Sequence, residues 1–380
     1  MKTLYIHGSA DHYGSAKVLL DIIQLSGKAA NAMVVLPHDG LLVRDLQSIG
    51  VKVQIMNLGV LRRKYFTPWG MTGRVILWLV AIVRLRKIIH KEKIGRIYIN
   101  SANVIIGPFL KTTHTELVWH IHEIVEKPAL LRNLLGKLFC KADRLLTVSA
   151  ATQLFWKQQT GSDRFQLLYN GIDTARFTGI TPNREKYCPA AKKDDVVIGM
   201  IGRVQAWKGQ EYFLEIMEQY FAQADPSNGQ QVYGCMAGDP YPGYEKLAEE
   251  LKGMIRERGL TKKVFYNGYV DHTPEWMASI DILVLPSVKP DPLPTVILEA
   301  MASGKPVIAT HQGGALEMIE KNETGYFIPL QDVASAAKTL ASLIKDEGTR
   351  KRMGEKGKER VSKLFSRQAF AENWHRILHS

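Results

Sequence analysis

Three cysteines in 380 residues, Cys140, Cys188 and Cys235, are odd in number, far apart and without a C-x-x-C pair. That scarcity excludes a disulfide framework or a zinc site and fits a reducing cytosol. Long apolar runs are lacking too. The longest, Val75 to Val83 (VILWLVAIV), has nine residues, where a bilayer-spanning helix needs about 20. The first residues, MKTLYIHGSAD, carry too brief an apolar run for a signal-peptide core, so export is not expected. Acidic residues are the minority, 37 Asp and Glu against 50 Lys and Arg, for a net charge of +13. A balance this basic favours an anionic partner: nucleotide phosphates, an acidic membrane surface or nucleic acid. No recognition motif accompanies the charge, so nucleic acid is set aside. Internal repeats and low-complexity tracts are absent.

What the chain does have is alternation. KTLYIH, AMVVLP, RIYIN, LVWHI, RLLTVS and QLLYN read as short apolar strands, with helix-length segments between most of them, such as Ser15 to Leu25 and Leu130 to Lys141. After a polar stretch from Thr181 to Asp195 the pattern restarts with VVIGMIG, QVYGCMAG, KVFYNG, ILVLP, PVIAT and GYFIP. Near-continuous apolar strands between helices predict parallel sheets covered on both faces. Hydrophobic residues at 46% and charged residues at 23% are ordinary for a globular chain, and the length suits two domains. The expectation is two doubly wound α/β domains joined near residue 180. Phe370, Trp374 and Ile377, at helical spacing, predict a terminal helix with an apolar face over Phe365 to Ser380.

The segment Val75 to Val83 is flanked by Arg74, Arg84, Arg86 and Lys87 and is read first as a buried domain helix. Arg62, Arg63, Lys64, Tyr65, Phe66 and Trp69 lie just upstream. Basic residues beside aromatic and aliphatic ones also suit an anionic membrane surface, with Trp78 the natural residue to test.

Ligands of open α/β sheets bind beyond the carboxyl ends of strands. The first such loop runs from Gly8 to Ala16, where Gly14 permits close approach to a phosphate and Ser15 opens a helix. Its glycines lie six apart, so it is not a G-x-G-x-x-G fingerprint, and a plain βα turn is the alternative. Gly202 to Gly209 closes VVIGMIG and supplies Arg203 and Lys208, a forked and a point cation suited to a diphosphate; a solvated basic loop is the alternative. Asp291 lies in a Pro-rich loop, and Glu299 follows eight positions later in an apolar segment. Ribose hydroxyls would satisfy such a Glu, as would an ion pair or a helix cap. Gly313-Gly314, before Glu317, reads as a further source of N–H groups for phosphate.

The set G-R-x4-K-G, an acidic residue and then a Glu before A-M-A-x-G-x-P-V-I-A, G-G-x-x-E and N-x-T-G-Y, together with Asn170-Gly171-Ile172-Asp173, resembles family 4 of the retaining GT-B glycosyltransferases (glycosyltransferase group 1). The resemblance covers nearly the whole chain and implies two Rossmann-like doubly wound domains facing each other across a cleft. Residues 1–178 with 365–380 would form the acceptor-binding domain and its crossover helix, and residues 179–364 the nucleotide-sugar domain. Arg203 and Lys208 match the pair that grips the donor diphosphate and stabilises the leaving group. Glu299 matches the ribose-binding carboxylate. Asp291 stands where the family usually has Glu touching the transferred sugar, one methylene shorter.

The donor set the resemblance implies also includes Gly14, Gly202, Gly268, Tyr269, Leu293, Pro294 and Thr295. Tyr13-Gly14 replaces the usual Gly-Gly pair. His122 and Glu123 resemble the H-D or H-E on the acceptor side, with His120 competing; His122 joins Arg203, Lys208 and Asp291 as a catalytic candidate. The implied chemistry is front-face transfer with retention from a UDP- or GDP-sugar, needing no metal or other cofactor, and no D-x-D motif stands where a metal would bind. A glycan or polyprenyl-diphosphate-linked acceptor, a surface-polysaccharide pathway and a cytoplasmic place, peripheral at the inner face of the membrane, complete the expectation. A nucleotide-sugar epimerase of the same architecture and an inactive nucleotide-sugar-binding protein are the competing readings.

Overall fold

The computed structural model describes every residue except 12, 13, 28, 62–64, 224–229, 242 and 380. Tyr13 of the glycine loop and the basic Arg62, Arg63 and Lys64 therefore lie outside the described residues. The chain divides into two compact units, Met1–Asn170 with Phe370–Ser380, and Gly171–Ala369.

The first unit is built on β1 (Thr3–Ile6), β2 (Ala32–Leu36), β3 (Lys52–Ile55), β4 (Arg96–Ile99), β5 (Glu116–Ile121), β6 (Arg144–Thr147) and β7 (Phe165–Leu167). They form one seven-stranded sheet in the order β3-β2-β1-β4-β5-β6-β7, every pairing parallel. Leu4, Ile6, Ile97, Ile99, Leu117 and Trp119 face one core, and Tyr5, Val34, Tyr98 and Val118 face another, because successive side chains of a strand point to opposite sides. The terminal helix Arg367–His379 closes the second of these cores with Phe370, Trp374, Ile377 and Leu378. Trp374 meets the Tyr98 ring edge-on at 5.3 Å.

The second unit holds β8 (Val196–Ile201), β9 (Val232–Ala237), β10 (Val264–Tyr266), β11 (Ile282–Leu285), β12 (Val307–Thr310) and β13 (Gly325–Ile328). Their order is β10-β9-β8-β11-β12-β13, again wholly parallel. Both sheets reverse their winding beside the first strand, between β1 and β4 and between β8 and β11. Loops part at such a switch point and leave room for a ligand at the carboxyl ends.

Each strand expected from sequence is present, and β3 was missed. Its side chains are exposed or half-buried along KVQI, so no apolar run marks it. The segment read as a buried helix differs more. Pro68–Lys91 is one helix of 24 residues; Ala81, Leu85 and Ile89 are buried, but Val75, Ile76, Leu79, Val80 and Val83 are exposed. The apolar run exceeds what the core beneath it can cover, so the buried-helix reading is corrected.

Candidate functional site

In the second unit, β8 ends at Ile201 and delivers Gly202 and Arg203 at the switch point. The Gly202 N–H donates to Ala237 O (3.0 Å), and the Val204 N–H donates to Asp239 O (3.2 Å), so the loop stays beside the sheet as far as Val204. Gly238 makes this approach feasible. Its φ is +122°, and a Cβ there would stand 2.0 Å from Gly202 O.

Arg203 lays its guanidinium 3.3 Å from the centre of the Tyr241 ring, a cation–π contact. Its carbonyl accepts from Gln210 Nε2 at 3.0 Å. Lys208 ends a short turn, Ala206–Lys208, and its ammonium forms an ion pair with the Asp291 carboxylate. Both side chains are largely buried, 16% and 13% exposed. The structure thus brings together Lys208 and Asp291, residues 83 apart in sequence.

Asp291 is held by the glycine pair. Gly314 N–H donates to Asp291 O at 2.8 Å. A Cβ on Gly313 would lie 2.5 Å from Asp291 O, and one on Gly314 would lie 2.2 Å from Pro292 O. The expectation that this pair presents N–H groups to phosphate is corrected at Gly314, whose N–H is committed to the Asp291 loop, and both glycines let two backbones touch. That loop leads through the buried Leu293 and Pro294 into the helix Thr295–Ala302, whose N-terminus has no side-chain cap. Glu299 is half-buried on this helix, less enclosed than its apolar neighbours suggested. Gly268 (φ +63°) accepts at its carbonyl from Gly238 N–H, 2.7 Å away, and Tyr269 beside it is exposed.

In the first unit the carboxyl ends of β1, β4 and β5 carry His7, Asn100 and His122. Asn100 ties them together. Its Nδ2 donates to Ser15 O in the first turn of the helix Gly14–Leu25 (2.8 Å). Its backbone carbonyl lies 2.9 Å from His7 Nδ1, and its Oδ1 lies 3.0 Å from His122 Nε2. A carbonyl oxygen only accepts, so His7 carries its proton on Nδ1 and His122 carries its own on Nε2. The lone pair of His122 is therefore on Nδ1. Burial, with His120 and His7 close by, holds the His122 pKa well below the usual range, which makes it a neutral imidazole.

His120 is fully buried. Its Nδ1 is 2.9 Å from the Tyr98 hydroxyl, and burial lowers its pKa to about 3. It has no surface to offer an acceptor, so of the two histidines only His122, half-buried, reaches the strand-end surface. Glu123 turns inward. Its carboxylate accepts from Ser101 Oγ (2.8 Å) and from the Ala102 and His122 N–H groups (3.0 and 3.1 Å). Burial raises its pKa against those donors. It staples the β4 and β5 loops together rather than facing a ligand. Gly14 begins its helix with open space where a Cβ would stand. Asn100, His7 and Tyr241 were not singled out from sequence, although the strand ends of RIYIN and KTLYIH mark the first two.

Among the described residues no helix is long and apolar enough to cross a membrane, and no cluster of three or more His, Cys, Asp or Glu is arranged to hold a metal ion.

Comparison with known proteins follows the same division. The model of the Glycosyl transferases group 1 family matches residues 184–360, and that of Glycosyltransferase Family 4 matches residues 28–176. The chain belongs to the group 1 glycosyltransferases and has the GT-B fold. It is 27% identical over 229 residues to the lipopolysaccharide core biosynthesis glycosyltransferase LpsE of Rhizobium meliloti, covering 60% of each chain. It is 28% identical over 204 residues to the D-inositol 3-phosphate glycosyltransferase of Corynebacterium efficiens, covering 51% of this chain and 46% of that one. The matches thus span 46% to 60% of the length of these two curated relatives. Among solved structures, Anabaena HepE in complex with UDP and glucose superposes with a TM-score of 0.84 at 24% identity, over 100% of both chains. The lipopolysaccharide outer core galactosyltransferase WaaB superposes with a TM-score of 0.72 at 14% identity, over 100% of this chain and 99% of that one.

Proposed function

We propose that the protein is a retaining glycosyltransferase that moves a sugar from a UDP- or GDP-sugar to a glycan or polyprenyl-diphosphate-linked glycan in surface-polysaccharide biosynthesis. The observation that carries this reading is the convergence of Arg203, Lys208 and Asp291 at the carboxyl ends of β8 and β11, where the sheet reverses. In the transfer, the bond between the anomeric carbon and the β-phosphate oxygen breaks with its electron pair leaving on the diphosphate. The acceptor oxygen bonds the same face of that carbon, and its proton passes to the departing diphosphate. Arg203, Lys208 and the N–H groups opening the helix Thr295–Ala302 supply fixed positive potential where that charge develops.

Gly202, Gly268, Leu293, Pro294 and Thr295 shape the donor site. Tyr269, exposed beside Gly268, offers a face to the base, Glu299 receives the ribose hydroxyls, and Asp291 receives the transferred sugar. In the other unit the helix start at Gly14 offers N–H groups to phosphate, while His122 Nδ1 accepts a hydrogen bond from a sugar hydroxyl. No metal enters this scheme. The relatives' names and the UDP- and UDP-glucose-bound HepE structures favour a sugar nucleotide and a cell-surface glycan.

The test incubates purified protein, with and without chelator, with radiolabelled UDP-, GDP- and dTDP-sugars and a lipid-linked glycan extract. Transfer with retained anomeric configuration, undiminished by chelator and lowered at least about 10²-fold in Lys208→Ala, is expected. Inversion at C2 without transfer would instead identify an epimerase, and donor binding without turnover an inactive binding protein.

A further inference from the structure

The helix Pro68–Lys91 carries a surface that the transfer chemistry does not use. It contains no Asp or Glu. Val75, Ile76, Leu79, Val80 and Val83 fall on one side at helical spacing and are 42% to 61% exposed, with Trp69 on the same line at 88%. Scattered exposed apolar residues are ordinary; five aliphatics and a tryptophan in one stripe over about four turns are not. The opposite side is satisfied: Ala81, Leu85 and Ile89 are in the core, and the Trp78 indole N–H donates to Gly59 O at 2.8 Å. Trp78, the residue the sequence suggested testing, therefore faces inward.

Along its axis the helix changes character. After the apolar stripe come Arg84, Arg86, Lys87 and Lys91, all exposed. Arg86 Nε donates to Phe109 O at 2.9 Å, which places exposed Phe109 beside this basic end. A protein partner that buried the aliphatic stripe would have to offer a matching acid-rich strip for the adjoining cations. An anionic bilayer presents both at once, acyl chains for the stripe and phosphates for the cations.

We infer that the exposed side of the helix Pro68–Lys91 docks on an anionic lipid surface, its Trp69-to-Val83 stripe seated among the headgroups and upper acyl chains and its Arg84-to-Lys91 end on lipid phosphates. The docking is peripheral, and it presents the first unit to acceptors held in the membrane.

The test is co-sedimentation of the full chain with phosphatidylcholine vesicles containing about a third phosphatidylglycerol, at about 0.1 M salt and at about 1 M, where the screening length falls from about 10 Å to about 3 Å. Binding at the lower salt, loss of most of it at the higher, and little binding to pure phosphatidylcholine are expected. Leu79→Glu, at an exposed position that the fold does not use, should weaken vesicle binding about tenfold or more while thermal stabilisation by UDP or GDP is unchanged. That control separates failure of this inference from failure of the functional reading. Absence of vesicle binding at low salt, or equal binding by Leu79→Glu, overturns the inference. So does a stable dimer by light scattering that Leu79→Glu converts to monomer, since the stripe would then belong to a second copy of the chain.

Discussion

Replacing Asp291 by Asn should move nucleotide binding and sugar transfer in opposite directions. In the free protein Lys208 is already partnered by Asp291, both side chains 16% or less exposed, so an arriving diphosphate competes with a carboxylate for the same ammonium. Charge-assisted hydrogen bonds at such enclosed positions contribute about 1.5–3 kcal/mol. Removing the carboxylate should therefore destabilise the unliganded protein by about that amount, or roughly 3–12 °C in melting temperature at about 2–4 °C per kcal/mol. A diphosphate restores the missing partner, and each 1.4 kcal/mol recovered is about tenfold in affinity. The Asn variant should thus bind UDP or GDP about tenfold or more tightly by calorimetry. Its sugar transfer should fall about 10²-fold, because the group proposed to meet the sugar has lost its charge. Asp291→Glu, which keeps the charge, should leave the unliganded melting temperature close to the parent's. An Asn variant with unchanged melting temperature and unchanged or weaker diphosphate affinity would refute the idea that this pair is the resting state of the phosphate site.

Asn100→Asp should raise the pKa of His122 by setting a carboxylate where the amide oxygen now accepts from Nε2–H, so nitrogen-detected NMR should show an imidazolium in place of the single neutral tautomer at pH 7, with the acid limb of the activity profile shifted upward; an unaltered His122 spectrum would contradict the assignment. Gly314→Ala places a methyl 2.2 Å from Pro292 O and should displace the Asp291 loop, cutting turnover by on the order of 10²-fold with a smaller loss of stability; normal turnover would show that the close approach is dispensable. The buried neutral His7 and His120, lowered to about 4 and about 3 from 6.5, bind fewer protons folded than unfolded below pH 6.5, so stability should decline as pH falls from 6.5 toward 4, on the order of a few kcal/mol in all. Glu123, raised by burial, works in the opposite sense over its own range. Chemical denaturation of His7→Gln across pH 4–7 should give a flatter profile than the parent, and identical slopes would remove His7 from the account.

The chain shows which features a sequence conveys and which wait for coordinates. Strands buried on both faces announce themselves as apolar runs, and the winding of both sheets followed from them; β3, an edge strand of mixed exposure, has no such run and was invisible. The position of Arg203 and Lys208 just beyond β8 was legible because the apolar run VVIGMIG marks where the strand ends. Asn100 and Tyr241 were not, since neither carries charge and each acts through a partner distant in sequence, His122 and Arg203. The role of Gly314 was not legible: a glycine pair signals either exposed N–H groups or close backbone contact, and only the position of the Asp291 loop decides. The helix Pro68–Lys91 teaches the same lesson in hydrophobicity. A segment apolar on every side has no periodicity to reveal its inner face, so composition alone favours burial. The sheet beneath can cover only one side of a helix, and an apolar residue on the uncovered side needs a solvent other than water. Such a stripe, running into the basic stretch Arg84 to Lys91, is the observation on which the proposed lipid docking stands or falls.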